Sequence, residues 1–178
     1  MVGETIRNHL EGRYLSIDLH RPVIDEVERV ATFYLWNLSG QIVGYQQYRP
    51  DADKTKSNHP KDGRYFTYRN PHTLAVWGVE SLHLSRDVVF LTEGIFDACR
   101  LTRRGYSAIA ALSNNPTKDL KNWLWGLDRK VIVVCDNDDA GKRLMKFGDT
   151  SIVSETDLGD SDENFVDFVI GHATLQHL

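Results

Sequence analysis

Cysteine is scarce in this chain, and what little there is excludes two classes of protein. Only Cys99 and Cys135 occur among 178 residues, both in apolar contexts, so they read as reduced, buried thiols rather than as a disulfide framework. Two cysteines cannot build a four-cysteine zinc site, and the seven histidines show no paired ligand spacing near them, which rules out a zinc ribbon. Long hydrophobic runs are missing too: none approaches the roughly 18 residues that a membrane span needs. The opening Met1-Val2-Gly3-Glu4-Thr5 lacks a signal-peptide pattern, so a cytoplasmic protein with no membrane partner is expected. No Gly-Lys-Ser or Gly-Lys-Thr loop exists, which excludes a Walker-type nucleotide site. There is no internal repeat and no low-complexity segment. Positive charge is absent from one whole region: from Gly148 to Leu178 seven acids meet no Lys or Arg.

What is present is a chain long enough for one good core, or for one core with a smaller appended subdomain. Its 41% hydrophobic and 26% charged residues are ordinary for a globular protein. The net charge of −4 does not announce a nucleic-acid binder, but the distribution is uneven. Between Arg100 and Lys130 the basic residues Arg100, Arg103, Arg104, Lys118, Lys121, Arg129 and Lys130 face only Asp119 and Asp128. A basic track beside an acidic metal site has this asymmetry, and so does a solvated face followed by an acidic tail.

Two apolar runs carry the strongest signal, because each ends in acid. Val88-Val89-Phe90-Leu91-Thr92 leads into Glu93-Gly94-Ile95-Phe96-Asp97, and Val131-Ile132-Val133-Val134-Cys135 leads into Asp136-Asn137-Asp138-Asp139-Ala140-Gly141. Short β-branched runs of this kind read as buried parallel strands, and ligands of α/β sheets bind beyond the carboxyl ends of such strands. Carboxylates delivered there twice repel one another unless a cation lies between them, and a divalent ion with oxygen ligands is the usual partner. Gly94 lets the backbone turn tightly, and Asp97 follows Glu93 by one helical turn. Asp136 and Asp138 bracket one residue, so both can converge on a single ion. Acids that merely favour a helix N-terminus are the plain alternative for either cluster alone. A receiver-type phospho-acceptor also uses a strand-end acid cluster, but Glu93 is wrong for it.

The rest of the chain reads as two parts, 1–72 and 73–178. In the first, Val23, Ile24, Val27 and Val30 fit one face of a short helix. Strands are expected over 32–38 and 41–49, joined by a turn at Ser39-Gly40, with a third over 64–68 after a polar loop from Pro50 to Gly63. In the second part, 73–80 suits a short helix or turn. Strands over 88–92, 107–112 and 131–135 then alternate with helices over 95–104, 117–126 and 139–146, with a fourth strand at 150–153 and a helix over 164–170. Such alternation implies right-handed parallel crossovers. The fold class is α/β (α+β overall), a helix-flanked parallel sheet preceded by a small antiparallel β subdomain. Buried packing is favoured over base stacking for Trp36, Trp77, Trp123 and Trp125, and His20, His59 and His172 read as surface residues.

On these residues the chain resembles the Toprim domain in its primase form. Thr92-Glu93-Gly94-Ile95-Phe96-Asp97-Ala98 is similar to the glutamate motif, and Val133-Val134-Cys135-Asp136-Asn137-Asp138-Asp139-Ala140-Gly141 to the Asp-x-Asp motif. Gly159-Asp160-Ser161-Asp162-Glu163-Asn164-Phe165 is similar to the Asp-x-Asp-Glu element that follows in bacterial and phage replicative primases. Upstream, Asn37-Leu38-Ser39-Gly40-Gln41-Ile42-Val43-Gly44-Tyr45 resembles a hairpin of the primase core, with Arg49 where that family has an arginine and Arg64 at a basic position. Leu74-Ala75-Val76-Trp77-Gly78-Val79-Glu80 resembles the segment before the Toprim strand, and Ser113-Asn114-Asn115 falls at a small-residue loop.

The resemblance implies a Mg²⁺- or Mn²⁺-dependent nucleotidyltransferase that makes primers on single-stranded DNA from nucleoside triphosphates. Glu93, Asp136 and Asp138 would be catalytic, with Glu93, Asp97, Asp136, Asp138, Asp160 and Asp162 around the metal. Arg49, Arg64 and Lys142 would bind nucleotide or template, and Arg100, Arg103 and Arg104 would track a phosphate backbone unless they serve only solubility. A replicative helicase or other replication protein is the expected partner. The family's zinc module, its helicase motor and a lysine before Trp77-Gly78 are not in this sequence. Its compact size is expected of a phage or mobile-element protein acting in a host cytoplasm. A Toprim nuclease and a non-catalytic nucleic-acid- or protein-binding module are the alternatives.

Overall fold

Alternation with a period of two organises the first sheet. In Val30–Trp36 the side chains of Ala31, Phe33 and Leu35 are buried, while Thr32, Tyr34 and Trp36 point to the other face. In the computed structural model, which describes residues 4–54, 59–113 and 116–174, this strand is β2. It pairs with β1 (Val23–Asp25) and β3 (Ile42–Tyr48), and β3 pairs with β4 (Tyr65–Arg69), all antiparallel in the order β1-β2-β3-β4. The β2–β3 turn is built by Asn37, whose side-chain oxygen accepts from the amides of Ser39 and Gln41 at 2.9 Å each. Gly44 is required on β3, since a Cβ there would lie 2.3 Å from the Tyr68 carbonyl oxygen.

The helix expected around 23–30 does not form. Residues 23–25 are strand and 26–29 a tight turn, because the Asp25 carboxylate captures the amides of Val27 (3.0 Å) and Glu28 (2.9 Å) that a helix would bond to its own carbonyls. Arg29 then takes a left-handed φ of 49°, which no helix interior tolerates. Helices stand earlier instead, as α1 (Ile6–Gly12) and α2 (Ile17–His20), capped by Thr5 and Ser16. Glu26, in the β1–β2 turn, accepts from the first amides of α1, Ile6 and Arg7. The turn thus caps the helix.

The second sheet is parallel, in the order β6-β5-β7-β8. Its strands are β5 (Val88–Thr92), β6 (Ser107–Ala110), β7 (Lys130–Asp136) and β8 (Thr150–Ser154), crossed over by α3 (Ile95–Arg103), α4 (Lys118–Gly126) and α5 (Asp139–Leu144) and followed by α6 (Glu163–Thr174). Every residue of β5 is buried, as a central strand covered on both faces must be. One face packs Val89, Leu91, Val131 and Val133 against Leu120, Leu124 and Leu144 of α4 and α5. The other packs Phe90, Ile132 and Val134 into a core shared with Ile6, Leu10, Phe33, Leu35 and Tyr48. One core therefore runs across residue 72 and unites the two sheets.

Main-chain bonds unite them as well. The expected helix or turn over 73–80 is extended at Val76–Trp77 before a 3₁₀ turn over Val79–His83. Val76 exchanges both hydrogen bonds with Trp36 of β2 (2.8 and 2.9 Å), and Trp77 exchanges both with Ala110 of β6 (3.0 Å each). Gly78 then swings to φ 94°, where a Cβ would meet the Ala108 carbonyl oxygen at 2.4 Å. His20 is not a surface residue. Its side chain is fully buried, tilted against the Trp77 ring at 4.2 Å and bonded to Glu80 at 2.6 Å. Trp77 is buried as expected, but Trp125 is 85% exposed. No helix among the described residues is long and apolar enough to cross a membrane. Asn114 and Asn115 of the expected small-residue loop, and 55–58 of the polar loop, lie outside the described residues.

Candidate functional site

Parallel strands deliver all their carboxyl ends to one edge of the sheet, and here that edge is acidic. Glu93 leaves the end of β5, and Gly94 caps α3 with its amide donated to Asp97 Oδ2 at 3.1 Å. The other oxygen of Asp97 accepts from the Gly159 amide at 2.8 Å. Asp97 therefore straps the 158–160 turn to the start of α3, and that strap sets the position of Asp157. Asp136 is the last residue of β7, and Asp138 caps α5 by accepting from the Gly141 amide at 2.7 Å. Glu93, Asp97, Asp136 and Asp157 line one cleft of about 460 Å³, whose other walls include Arg13, Gln46 and Tyr65. The cleft is thus shared by both sheets.

Crowding of like charges dominates its electrostatics. Asp136 is pushed up to about 7, by burial first and then by the charges of Asp157 and Asp97. Burial raises Asp97 to about 6, against the pull of the Gly159 and Gly94 amides. Glu93 is also raised, by burial and then by Asp138, Asp97 and Asp157. Of the charges around Asp136, that of Asp157 weighs most. A cation between these carboxylates would relieve the repulsion, and an all-oxygen donor set of this charge suits Mg²⁺ or Mn²⁺. Among the described residues no three Asp, Glu, His or Cys side chains are gathered closely enough to hold a metal ion between them. Mg²⁺ keeps several waters and needs only one or two direct carboxylates.

The structure brings Glu93, Asp97 and Asp136 together, with Asp138 on the adjacent helix start, and adds Asp157. Asp160 and Asp162 are not in the lining of the cleft: Asp160 pairs with its wall residue Arg13 at 3.2 Å, and Asp162 caps α6 through the Phe165 amide at 2.8 Å. The basic residues of α3 do not form a track. Arg100 is buried over the Tyr14 ring at 3.9 Å, donates to the Ser161 carbonyl at 2.7 Å and pairs with Glu163 at 2.9 Å. Arg104 pairs with Glu163 and Asp167 at 2.6 and 2.8 Å, leaving Arg103 exposed beside them. Arg100 and Arg104 of the basic stretch are thus matched by Glu163 and Asp167 of the acidic one. Arg49 bonds Gln47 at 3.1 Å and Arg64 bonds the Ala52 carbonyl at 2.8 Å, while Lys142 lies exposed near Asp139 at 3.4 Å.

Comparison with known proteins places this architecture. A DnaG catalytic core superposes with a TM-score of 0.68 and 15% identity over 93% of this chain and 72% of that one. The fold is that of a primase catalytic core. A DnaG primase catalytic domain bound to single-stranded DNA has a TM-score of 0.61 and 16% identity, covering 90% of this chain and 61% of its own. In sequence, a DNA primase from Aquifex aeolicus (strain VF5) is 28% identical over 109 residues, which is 60% of this chain and 22% of that primase. The chain therefore spans about a fifth of the length of that relative. No protein-family model matches.

Within this primase-core fold, Gly141 explains why Ala-Gly follows the paired aspartates. A Cβ at 141 would stand 2.0 Å from the Asp136 carbonyl oxygen. Gly141→Ala is expected to lever α5 off the end of β7, at a cost of about 1–3 kcal/mol. Denaturant unfolding measures this, and an unchanged midpoint would show that α5 yields freely. Arg13, Gln46, Tyr65 and Asp157 are site residues that sequence reasoning missed. Only Asp157 had a signal, as part of the acid-rich stretch after β8. Arg13 is held over the Phe96 ring at 4.2 Å, a contact with no sequence pattern.

Proposed function

We propose that the chain is a metal-dependent nucleotidyltransferase of primase type, which acts on single-stranded DNA with nucleoside triphosphates. The observation that carries this reading is the convergence of Glu93, Asp97, Asp136 and Asp157 on one cleft at the strand ends. The similarity to a DNA primase in sequence, and to primase catalytic cores in fold, supports it. The acid constellation is of the Toprim kind, with Asp157 in place of Asp160 and Asp162. We assign Asp136, Asp138 and Asp157 to a divalent cation, with Asp97 as the residue that holds Asp157 in place.

A Mg²⁺ or Mn²⁺ ion bound there would supply charge neutralisation for the attacking and leaving oxygens of phosphoryl transfer. The chain's own residues do the rest. Glu93, with its carboxyl raised by burial, is placed to take the proton of an attacking hydroxyl. Arg13, paired with Asp160 and held over Phe96, brings positive charge to the cleft. Gln46 and Tyr65 offer neutral hydrogen-bonding groups from the first sheet. A replicative helicase is the partner this role implies.

The test is incubation of the chain with single-stranded DNA, nucleoside triphosphates and Mg²⁺ or Mn²⁺. Labelled primers are the expected product. Shortened DNA would replace the transferase with a nuclease that uses the same acids, and no product with retained DNA binding would make the chain a binding module.

A further inference from the structure

The two faces of the first sheet differ in what covers them. The face of Ala31, Phe33, Leu35 and Tyr48 is buried in the shared core. The opposite face carries Tyr34, Trp36, Tyr45, Phe66 and Tyr68. Tyr34 lies directly across from Tyr45, and Tyr45 directly across from Tyr68, so three tyrosines form a row over three adjacent strands. The Tyr45 ring is 5.6 Å from Tyr68 and 6.2 Å from Phe66. Tyr34 is 37% and Tyr68 51% exposed, a large aromatic outlay at positions where a solvated sheet face ordinarily carries polar residues.

The chemistry of this face suits unpaired bases. A protein interface buries aliphatic and aromatic groups alike, whereas a row of rings with polar edges offers flat π surfaces in a wet setting, which every base can stack on. The charge around it is complementary to a phosphate backbone. Arg49 adds positive charge beside this face, half-buried and held by Gln47 at 3.1 Å. Arg64 flanks it, and the Lys61 ammonium stands 6.0 Å over Phe66. Of the neighbouring acids, Asp25 is committed to the Val27 and Glu28 amides and Asp51 to Arg29, while Asp62 sits in the 3₁₀ turn over Pro60–Asp62. The platform is also continuous with the acid cleft. Tyr65 lines that cleft from the other face of β4, about 10 Å along the strand from Tyr68, and β4 is the edge strand of its sheet.

The geometry points to the Tyr34–Tyr45–Tyr68 row as a binding platform for the bases of single-stranded nucleic acid, which leads the strand round the β4 edge to the acid cleft. It rests on the reading of that cleft as a nucleic-acid site. The test is fluorescence anisotropy with a labelled oligothymidylate in EDTA, comparing the full chain with Tyr34→Ala/Tyr68→Ala and Tyr34→Phe/Tyr68→Phe. The alanine pair should weaken binding at least tenfold, since each stacked base is lost with its ring. The phenylalanine pair keeps the rings and should bind as the parent does. The parent should also prefer the oligothymidylate to an abasic backbone of equal length, and the alanine pair should lose that preference. Both positions are exposed, so circular dichroism should show an unchanged fold. Tyr68→Ala alone gives the same comparison if the double variant does not fold. Equal binding by parent and alanine pair overturns the platform and leaves the cleft reading standing. No binding by the parent overturns both. A parent dimer that the alanine pair dissolves, seen by sedimentation, would make the face a self-interface and overturn the platform.

Discussion

Asp136→Asn should abolish metal-dependent activity and leave the fold standing. The loss should exceed the roughly 10–100-fold that follows when an outer partner of a metal ligand is changed, because here a ligand charge itself is removed. Shape is kept, so the β7 end and the α5 cap through Asp138 remain. A second readout needs no catalysis. Mg²⁺ should raise the melting temperature of the parent, since the ion screens the repulsion among Asp136, Asp157, Asp97 and Glu93 that the metal-free fold carries. In the variant that response should vanish. Without metal the variant should melt at or above the parent, because one of the crowded charges is gone. A variant that still responds to Mg²⁺ as the parent does would remove Asp136 from the metal site. A variant that melts far lower would make Asp136 a structural residue.

Trp77→Ala should be the costliest single truncation in the chain. The indole is 1% exposed, faces His20 at 4.2 Å and meets Phe33 edge-on at 6.4 Å. Removing such a ring from a packed core costs about 3–5 kcal/mol, a large share of the roughly 5–15 kcal/mol that holds a domain folded. The main-chain bonds to Ala110 do not depend on the side chain, so the loss reports packing alone. Urea unfolding followed by circular dichroism gives the number, and Trp77→Phe should fall between parent and alanine. A loss below about 1 kcal/mol would mean that the two sheets are not coupled through this residue.

Much of this architecture was legible because the second half obeys simple periodicities. β5 was read to the residue, and β7 and α3 to within one, since continuous β-branched runs and acid-tipped helix starts have few alternatives. The acids at both strand ends were legible for the same reason. The first thirty residues were not. Val23, Ile24, Val27 and Val30 have helical spacing, but Asp25 captures the local amides and leaves Val27 90% exposed. Periodicity cannot see a side chain that competes for the backbone. Asp160 and Asp162 fit the familiar spacing, yet an ion pair and a helix cap claim them, while Asp157 takes the place beside Asp136. Arg100 failed as a surface cation because its partners, Ser161 and Glu163, lie some sixty residues away along the chain. Spacing along a chain says where acids can go. Contacts across it decide which of them stay free.

The peptide at Val76–Trp77 has a mechanical meaning. Main-chain pairs grip it from both sides, Trp36 on one and Ala110 on the other, so no swivel separates the sheet that carries Gln46 and Tyr65 from the sheet that carries the acids. Rotating one against the other would break those pairs and open the core beneath them. The mouth between them is therefore cast rather than jointed, its width set when the chain folds.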